Sequence, residues 1–522
     1  MSDYESLSRS PSLLFSKTGA IELDDETALG VQPLRAELSA GNQTDTDLKK
    51  NAGATTTVMF SKSAVRTASF VQGPDETGTV NQDRLSKEPS LRRSHALTYV
   101  ALFLFTVILY ARPAEFYPSP LTASIALIAG LLTLAIFVPS QLAVEGTLSA
   151  RPPEVHLALI FCALGLVSIP LAINPSHAWS EFSGTFIRCI VIFIVMVNVV
   201  RTERRLKGLL LLTIVVSCLL SLGALNDYRL GLLTVEGYRV AGVGNGIFGN
   251  SNDMAFHLVT IMPIAIALIF SAGGAVRKGL FAICAALMMG AIVVTYSRGA
   301  FLGAVFAIGF MAWKLGRKNR LVIFMLGAVV LLMFLAVAPG NYAIRIISIF
   351  VPSLDPVGSS SARQGELFRS LYVALRHPLF GIGMGNYQTE MSYTGLVTHN
   401  SYTQVASEMG MAALVMYTMF VVAPLKKLGQ IARETLNAPA SSSYYYLAIG
   451  LQASLLAYLV SSFFASVAYL WYVYYLVAYA VCLRRMYESE NGRIVVCETR
   501  KAKRQNEVRV TSLAGQTGTV TR

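Results

Sequence analysis

The sequence predicts an all-α, polytopic membrane protein with about twelve transmembrane helices. Hydrophobic residues make up 54% of the 522 residues, charged residues only 14%, and the mean hydropathy is +0.53. Apolar runs recur along the chain at about the 20-residue length that a helix needs to cross a bilayer. These runs are continuous, whereas the strands of a membrane β-barrel alternate apolar and polar residues. The pattern therefore indicates helices, whose backbone groups are satisfied within each span.

The count of spans and their orientation follow from the distribution of lysine and arginine. Basic turns recur after every second apolar run, from Arg92-Arg93 to Arg484-Arg485, and such turns face the cytoplasm. A count of twelve places all of them, and both termini, on the cytoplasmic side. The predicted spans are 97–111, 121–138, 155–173, 183–200, 208–225, 254–270, 279–296, 299–315, 320–339, 403–424, 444–464 and 467–483.

Three regions of different composition follow from this assignment. Residues 1–93 are rich in Ser, Thr, Asp and Glu without a sustained period, which is typical of a disordered tail. Residues 94–485 form the predicted transmembrane domain, and residues 486–522 form a second cytoplasmic tail. Residues 340–401 are the largest polar segment between spans, a periplasmic loop between spans nine and ten.

The segments predicted on the outer side contain arginine but no lysine. A guanidinium group is a planar fork that holds two oxygens of a phosphate, so this selective use of arginine indicates phosphate or diphosphate binding. The alternative is that these arginines pair with Glu366, Asp355 or lipid head groups. The outer arginines are Arg112, Arg229, Arg239, Arg298, Arg345, Arg363, Arg369 and Arg376.

Three individual arginines are candidates for diphosphate binding. Arg298 lies in VVTYSRGAFLG between two apolar runs, where a charge is costly without a partner. Arg188 lies in FSGTFIRCIVIF, about 9 Å into the bilayer at 1.5 Å per residue. Arg239 lies in the Gly- and Asn-rich loop 237–253. Helix capping explains the asparagines of this loop as well as a functional role does. Snorkelling to head groups is the alternative for Arg298 and Arg188.

His399 is the candidate proton acceptor. It lies in THNSYTQVASEMG, where the large loop meets the next span, and histidine is the side chain best suited to take a proton near neutral pH. A structural role is the alternative. Asn400 and Glu408 are predicted to support it, because Glu408 lies two and a half helical turns further on and on the other side of a straight helix. No pair of histidines has zinc spacing, so neither a metal site nor a cofactor is predicted.

Three motifs in order carry a resemblance to a known family. The motifs occur in this order: TYSRGA, SSARQGELFRSLYVALRHPLFGIGMGNY and THNSYTQVASEMGM. Through them the chain resembles the O-antigen ligase and O-antigen polymerase superfamily of bacterial inner-membrane glycosyltransferases. The resemblance covers roughly residues 237–425. It implies a metal-independent enzyme that acts at the periplasmic face and transfers a glycan from an undecaprenyl diphosphate donor.

The family's functional positions map onto Arg298, Arg363 and His399. The assignment of Arg363 is the least secure, because Arg369 and Arg376 lie in the same helical stretch. The arginines would stabilise the diphosphate leaving group while His399 accepts the proton of the attacking hydroxyl, which predicts inversion at the anomeric carbon. Arg239 and Arg188 are included as further diphosphate ligands.

The resemblance leaves two activities open. The first is a polymerase of exopolysaccharide or O-antigen, and the second is a ligase that joins the glycan to lipid A core. The expected partners are an undecaprenyl-diphosphate-linked glycan, an acceptor glycan or lipid A core, membrane lipid and other components of polysaccharide export, and no nucleic acid. A transporter is the hypothesis from another class, although the sequence has no internal repeat and its polar groups crowd one face.

Overall fold

The chain divides into two units, Met1–Pro74 and Asp75–Arg522, and the residues described below all lie in the second. The computed structural model describes residues 95–234, 237–243, 247–316, 321, 347, 358–437 and 442–492. Several predictions lie outside the described residues. These are the 1–93 tail, nearly all of the ninth span at 320–339, loop residues Arg345 and Asp355, and the C-terminal residues 493–522.

The described residues are mostly helical and form no strand, although an isolated bridge pairs Leu233 with Val240. Short π-helical segments, Phe182–Phe186 and Tyr387–Met391, and a 3-10 turn, Ser462–Phe464, accompany the α-helices. In chain order the helices are α1 (Ala96–Ala111), α2 (Pro113–Phe116), α3 (Pro120–Glu145), α4 (Pro153–Ser168), α5 (Pro175–Glu181), α6 (Ile187–Val199), α7 (Glu203–Arg229), α8 (Ser251–Ser271), α9 (Ala275–Val294), α10 (Arg298–Leu315), α11 (Ser359–Arg376), α12 (Ser401–Met409), α13 (Met411–Glu434), α14 (Ser442–Ser461) and α15 (471–492).

The prediction of a polytopic all-α membrane protein is confirmed. In the part of the chain that the structure describes, 8 helices are long and apolar enough to cross a membrane, and α1 and α4 are shorter apolar helices. The exact number of spans, twelve in the sequence analysis, stays a prediction. The 8 candidate spans are Pro120–Glu145, Pro175–Val199, Glu203–Arg229, Ser251–Ser271, Ala275–Val294, Arg298–Leu315, Met411–Glu434 and Ser443–Phe464.

The predicted span 403–424 is wrong as a single helix, because the helix breaks at Gly410. Gly410 has φ 87°, and a β-carbon there would lie 2.3 Å from the Leu379 carbonyl oxygen. The segment that precedes α12 in sequence runs alongside this break. The Ile382 N–H donates to the Ser407 carbonyl oxygen at 2.9 Å, which ties this segment to the end of α12. The sequence prediction joined residues 403–424 into one span, and hydropathy alone does not reveal the backbone break at Gly410.

Helix α14 lies at the centre of the bundle, packed against α8, α10 and α13. Helix α14 approaches α10 closely at Gly303. A β-carbon at this position would lie only 2.1 Å from the Ser461 hydroxyl oxygen. The same hydroxyl donates to the Gly299 carbonyl oxygen at 3.0 Å. Gly299 and Gly303 are four residues apart, the spacing that lets membrane helices pack closely. This contact fixes the start of α10, where Arg298 lies.

A buried ion pair joins the start of α4 to α15. Arg484 donates to both carboxylate oxygens of Glu154, at 2.6 and 2.8 Å, and both side chains are buried. A two-pronged bond of this kind has defined geometry as well as charge attraction. It holds the last described helix against an early one.

Candidate functional site

Arg298 is placed by a tight turn between α9 and α10. Tyr296 reverses the chain there with φ 53°, a left-handed conformation that costs a non-glycine residue about 1–2 kcal/mol. Arg298 is the first residue of α10, and its side chain is only 6% exposed. Its Nη1 donates to the hydroxyl of Ser360, the second residue of α11. The turn therefore connects Arg298 to the helix that carries the loop arginines.

Helix α11 presents one face to this region. Ser360, Arg363, Gln364 and Leu367 recur at the spacing of one helical face, and all four line a single cavity. Because Arg363 lies one turn after Ser360, its guanidinium group reaches the same cavity as Arg298. The sequence alone could not choose among the three arginines of this helix.

The other two arginines of α11 have different surroundings. Arg369 donates from Nε to the Met391 carbonyl oxygen, and its guanidinium carbon lies 3.3 Å from the ring centre of Tyr393. Arg376 lies over the ring of Tyr372, 5.3 Å from its centre. Arg369 therefore holds the loop around residue 392, while Arg363 is the arginine that faces the cavity.

Glu366 fastens the same loop to α11. Its carboxylate accepts hydrogen bonds from the hydroxyls of Tyr387 at 2.6 Å, Ser392 at 2.9 Å and Thr394 at 2.6 Å. Burial opposes ionisation of Glu366, but these hydroxyl donors outweigh it and the pKa of the carboxyl is below its usual range. Glu366 is therefore ionised at neutral pH and positions α11 through three hydroxyl groups.

His399 is held in a strained backbone conformation by its neighbours. Its φ of 51° is left-handed, which costs a side-chain-bearing residue about 1–3 kcal/mol unless the surroundings enforce it. Asn400 then starts α12, because its Oδ1 accepts from the backbone N–H groups of Tyr402 and Thr403 at 2.9 and 3.0 Å. Asparagine is among the residues that cap helices best. The His-Asn order therefore places the imidazole just outside a capped helix end.

The connection between α14 and α15 enforces this conformation. The Ser401 hydroxyl donates to the Ala465 carbonyl oxygen at 2.7 Å and accepts from the Val467 N–H at 2.9 Å. On the other side of His399, the Thr398 hydroxyl lies 2.8 Å from that of Ser466. His399 is thus anchored on both sides to residues 465–467.

The imidazole of His399 is neutral at physiological pH. Burial lowers its pKa, the neighbouring Arg363 guanidinium lowers it further, and Glu366 acts in the opposite direction, which leaves a pKa of about 4. A neutral imidazole has a free ring nitrogen that can accept a proton. The position next to Arg363 therefore supplies both a permanent cation and a proton acceptor.

One cavity of about 360 Å³ brings these groups together. We call it the His399 cavity. Its size lies in the range of ligand pockets, which hold roughly 300–1,000 Å³. Two guanidinium groups can bind an anion there, and the imidazole can take a proton from a ligand beside it. The described lining residues are Arg298, Leu302, Ser360, Arg363, Gln364, Leu367, Thr398, His399, Asn400, Phe463 and Phe464.

The structure does not bring Arg188 or Arg239 into the lining of the His399 cavity. Arg188 lines a different and larger cavity of about 420 Å³, here called the Arg188 cavity. Arg239 lies in the loop between α7 and α8, whose Val240 N–H donates to the Val294 carbonyl oxygen at 3.2 Å. Arg239 is therefore close in the fold to the turn before Arg298 without lining the cavity.

The two residues predicted to support His399 have separate positions. Asn400 lines the His399 cavity and caps α12. Glu408 is buried at the far end of α12, and its carbonyl oxygen accepts from the Gly383 N–H at 2.9 Å. Asn400 thus lies beside His399, whereas Glu408 connects α12 to the segment around Gly383.

Several residues of this site were not predicted from the sequence. Ser360 bonds to Arg298, and its spacing of three residues before Arg363 on a helix is a signal that could have revealed it. Thr398 and Ser401 lie beside His399, but their anchors at 465–467 are more than 60 residues away in sequence. Phe463 and Phe464 line the cavity and carry no local signal for this role.

The fold and the cavity define a class of protein: a multi-pass helical membrane protein with a cavity suited to an anionic ligand and to proton transfer. Residues 283–418 match the family model described as O-antigen ligase. The match confirms the resemblance to the O-antigen ligase and polymerase superfamily, and that family implies glycan transfer with a lipid-linked glycan and an acceptor as substrates. Arg298, Arg363 and His399 all lie within the matched residues. None of the curated proteins compared with the chain matches it.

Proposed function

We propose that this protein is an inverting glycosyltransferase that uses an undecaprenyl-diphosphate-linked glycan as donor and acts at the periplasmic face of a bacterial inner membrane. One observation carries the proposal. Arg298, Arg363 and His399 come from three separate parts of the chain, line one cavity and lie within the O-antigen ligase match. Polymerisation of lipid-linked repeat units is the favoured reaction, and ligation to lipid A core is the alternative.

Arg298 and Arg363 bind the diphosphate of the donor in this proposal. Transfer breaks the bond between the anomeric carbon and the phosphate oxygen, so negative charge develops on the diphosphate. Fixed guanidinium groups stabilise that charge in the transition state. The contact of Arg298 with Ser360 and the close packing of α10 against α14 hold Arg298 in place before the donor arrives.

His399 acts as the general base. It accepts the proton of the acceptor hydroxyl while that oxygen forms the new bond to the anomeric carbon, and undecaprenyl diphosphate leaves from the opposite face. A pKa of about 4 makes the free imidazole a weak base. The bound diphosphate offsets the charge of Arg363 and so raises the pKa of His399 towards the range in which general bases work best.

Analysis of lipid-linked glycans in a deletion strain tests this function. Accumulation of single repeat units on undecaprenyl diphosphate indicates a polymerase, and accumulation of long polymer on the same lipid indicates a ligase. The full-length gene should restore the normal glycan in either case. Unchanged lipid-linked glycans in the deletion strain would contradict the proposal.

The orientation has its own measurement. A cysteine introduced at Ser360, a residue of the His399 cavity, should react with a membrane-impermeant thiol reagent added from the periplasmic side. Labelling only after the inner membrane is opened would place the cavity on the cytoplasmic side and refute the proposed location.

A further inference from the structure

The Arg188 cavity is polar at one end. Arg112 follows the last residue of α1, Glu115 lies in α2, and Thr122 lies in the first turn of α3. Thr185 and Arg188 complete this end from the π-helical segment and the start of α6. The end of α1, helix α2, the start of α3 and the start of α6 therefore place five polar side chains at one end of the cavity.

The rest of the wall is apolar. Along α3, the lining continues from Thr122 to Leu134, a further twelve residues and about 18 Å at 1.5 Å per residue. The lining also continues back along α1 from Arg112 and forward along α6 from Arg188. The side chains on the turns next to these two arginines are apolar. The cavity thus changes from charged to apolar along the helix axes. These apolar lining residues include Phe105, Ile108, Ile125, Leu134, Val191 and Ile192.

The charge of the polar end is positive. Arg112 forms an ion pair with Glu115 at 2.7 Å, which neutralises one cation. Arg188 is exposed on its helix, and no carboxylate of the described residues forms an ion pair with it. An arginine within a membrane-spanning segment is costly unless it faces a partner or a cavity. The cavity is therefore complementary to an amphiphile with an anionic head and a long apolar tail.

We infer that the Arg188 cavity binds the phosphorylated polyprenyl carrier of the second substrate, the acceptor. The inference rests on the proposed function, in which a polymerase must bind two lipid-linked chains at once. The donor's diphosphate lies in the His399 cavity, and the acceptor's phosphate group lies against Arg188. Arg188 was predicted to bind the donor together with Arg298, and the separation of the two cavities assigns it to the other substrate.

A short segment of the chain connects the two cavities. Phe463 and Phe464 line the His399 cavity, and Leu470 and Trp471 line the Arg188 cavity. The six residue steps from Phe464 to Leu470 span at most about 22 Å. The described linings of the two cavities have no residue in common. Facing lining residues of the two cavities therefore lie within about 22 Å of each other, so the two cavities are neighbours in the fold.

Direct binding measurements test the inference without turnover. The full-length protein is placed in nanodiscs of phosphatidylcholine, and binding of undecaprenyl diphosphate is titrated. Two equivalents are expected to bind to the wild-type protein and also to His399→Ala. Arg188→Gln should weaken one equivalent at least tenfold, Arg298→Gln should weaken the other, and Arg188→Lys serves as a variant that retains the charge.

The control is Arg376→Gln, since Arg376 lines neither cavity; it should bind two equivalents. Two unaltered equivalents in Arg188→Gln would overturn the inference. The inference would also be overturned if the protein binds a single equivalent that is lost in both Arg188→Gln and Arg298→Gln, because one shared site would then explain the data. Displacement of the Arg188-dependent equivalent by phosphatidylglycerol would show a general anionic lipid site and would also refute it.

A failure of this inference is distinguishable from a failure of the proposed function. If the deletion strain accumulates lipid-linked glycan while the protein binds one equivalent, the glycosyltransferase stands and the acceptor site is wrong. If the lipid-linked glycans are unchanged in the deletion strain, the function is wrong whatever the number of binding sites.

Discussion

The two cavities of this protein use arginine in different surroundings. In the His399 cavity, two arginines lie beside a histidine in a strained conformation, with polar groups such as Ser360, Gln364 and Asn400 in the wall. In the Arg188 cavity, the charged groups occupy one end and the remainder is a long apolar wall. The first arrangement can move a proton beside a bound anion, whereas the second can only hold an amphiphile.

In the proposed function, this difference separates the chemistry from the retention of the second substrate. Under that proposal, the strain and the hydrogen bonds at His399 and its anchors on residues 465–467 lie where the proton is transferred. Binding of a lipid carrier needs only a cation at the right depth and apolar helix faces beside it. Arginine therefore has a different proposed role in each cavity.

Removal of the histidine should have the largest effect. His399→Ala is expected to lower glycan transfer in membranes by about 10²–10⁴-fold, the usual contribution of a general base, at a normal protein level. His377→Ala is the matched control, because His377 lines neither cavity and should retain activity. Normal transfer by His399→Ala would remove the chemical distinction between the cavities.

The pH dependence of transfer should shift with Arg363. His399 must be neutral to accept a proton, so kcat/KM of the wild-type protein should fall only as the pH drops through about 4, its pKa in the free protein. Burial is the larger cause of this low pKa, and Arg363 adds to it. Arg363→Gln removes the neighbouring cation and should move this acid limb to higher pH, in addition to weakening donor binding.

Measurement of kcat/KM between about pH 3 and pH 8, a range that covers both pH 4 and the ordinary histidine pKa of about 6.5, checks this shift. An acid limb at the ordinary histidine pKa of about 6.5 in the wild-type protein would contradict the electrostatic description of the cavity. An acid limb that does not move in Arg363→Gln would show that Arg363 does not act on His399.

Loss of the anchor at Ser401 should have the smallest effect. Ser401→Ala leaves the Ala465 carbonyl and the Val467 N–H without their side-chain partner, which costs about 1–3 kcal/mol for buried groups. Transfer should fall roughly tenfold and thermal stability by a few degrees, as measured by activity and by a melting curve in detergent. Ser407→Ala is the control, since the Ser407 hydroxyl bonds within its own helix to Gln404.

Equal effects of Ser401→Ala and Ser407→Ala would show that the contact with residues 465–467 does not position His399. The comparison also tests whether the segment between the cavities has to be rigid for transfer.

The sequence was sufficient to predict the class of fold and the principal candidates of the His399 cavity. Continuous apolar runs identified most helices, because a backbone in lipid must satisfy its hydrogen bonds internally. Arg298 and His399 stood out because an ion or a titratable group at the edge of a span needs a physical reason to be there. Arg363 needed the three-dimensional structure, since only the helix face distinguishes it from Arg369 and Arg376.

Two other features were not accessible from sequence. Arg188 was grouped with Arg298, because position within a span gives the depth of a residue but does not identify the neighbouring helices. The break at Gly410 lies inside the predicted span 403–424, at a point where a β-carbon would lie only 2.3 Å from the Leu379 carbonyl oxygen. Both depend on contacts between distant parts of the chain, which local patterns do not encode.

The bond between Glu154 and Arg484 has a consequence for the order of assembly. The two residues are 330 positions apart, so Glu154 is synthesised long before its partner. A buried carboxylate without its cation is strongly destabilising, by about 3–5 kcal/mol. The packing of α4 against α15 is therefore complete only after Arg484 has been synthesised and has reached Glu154.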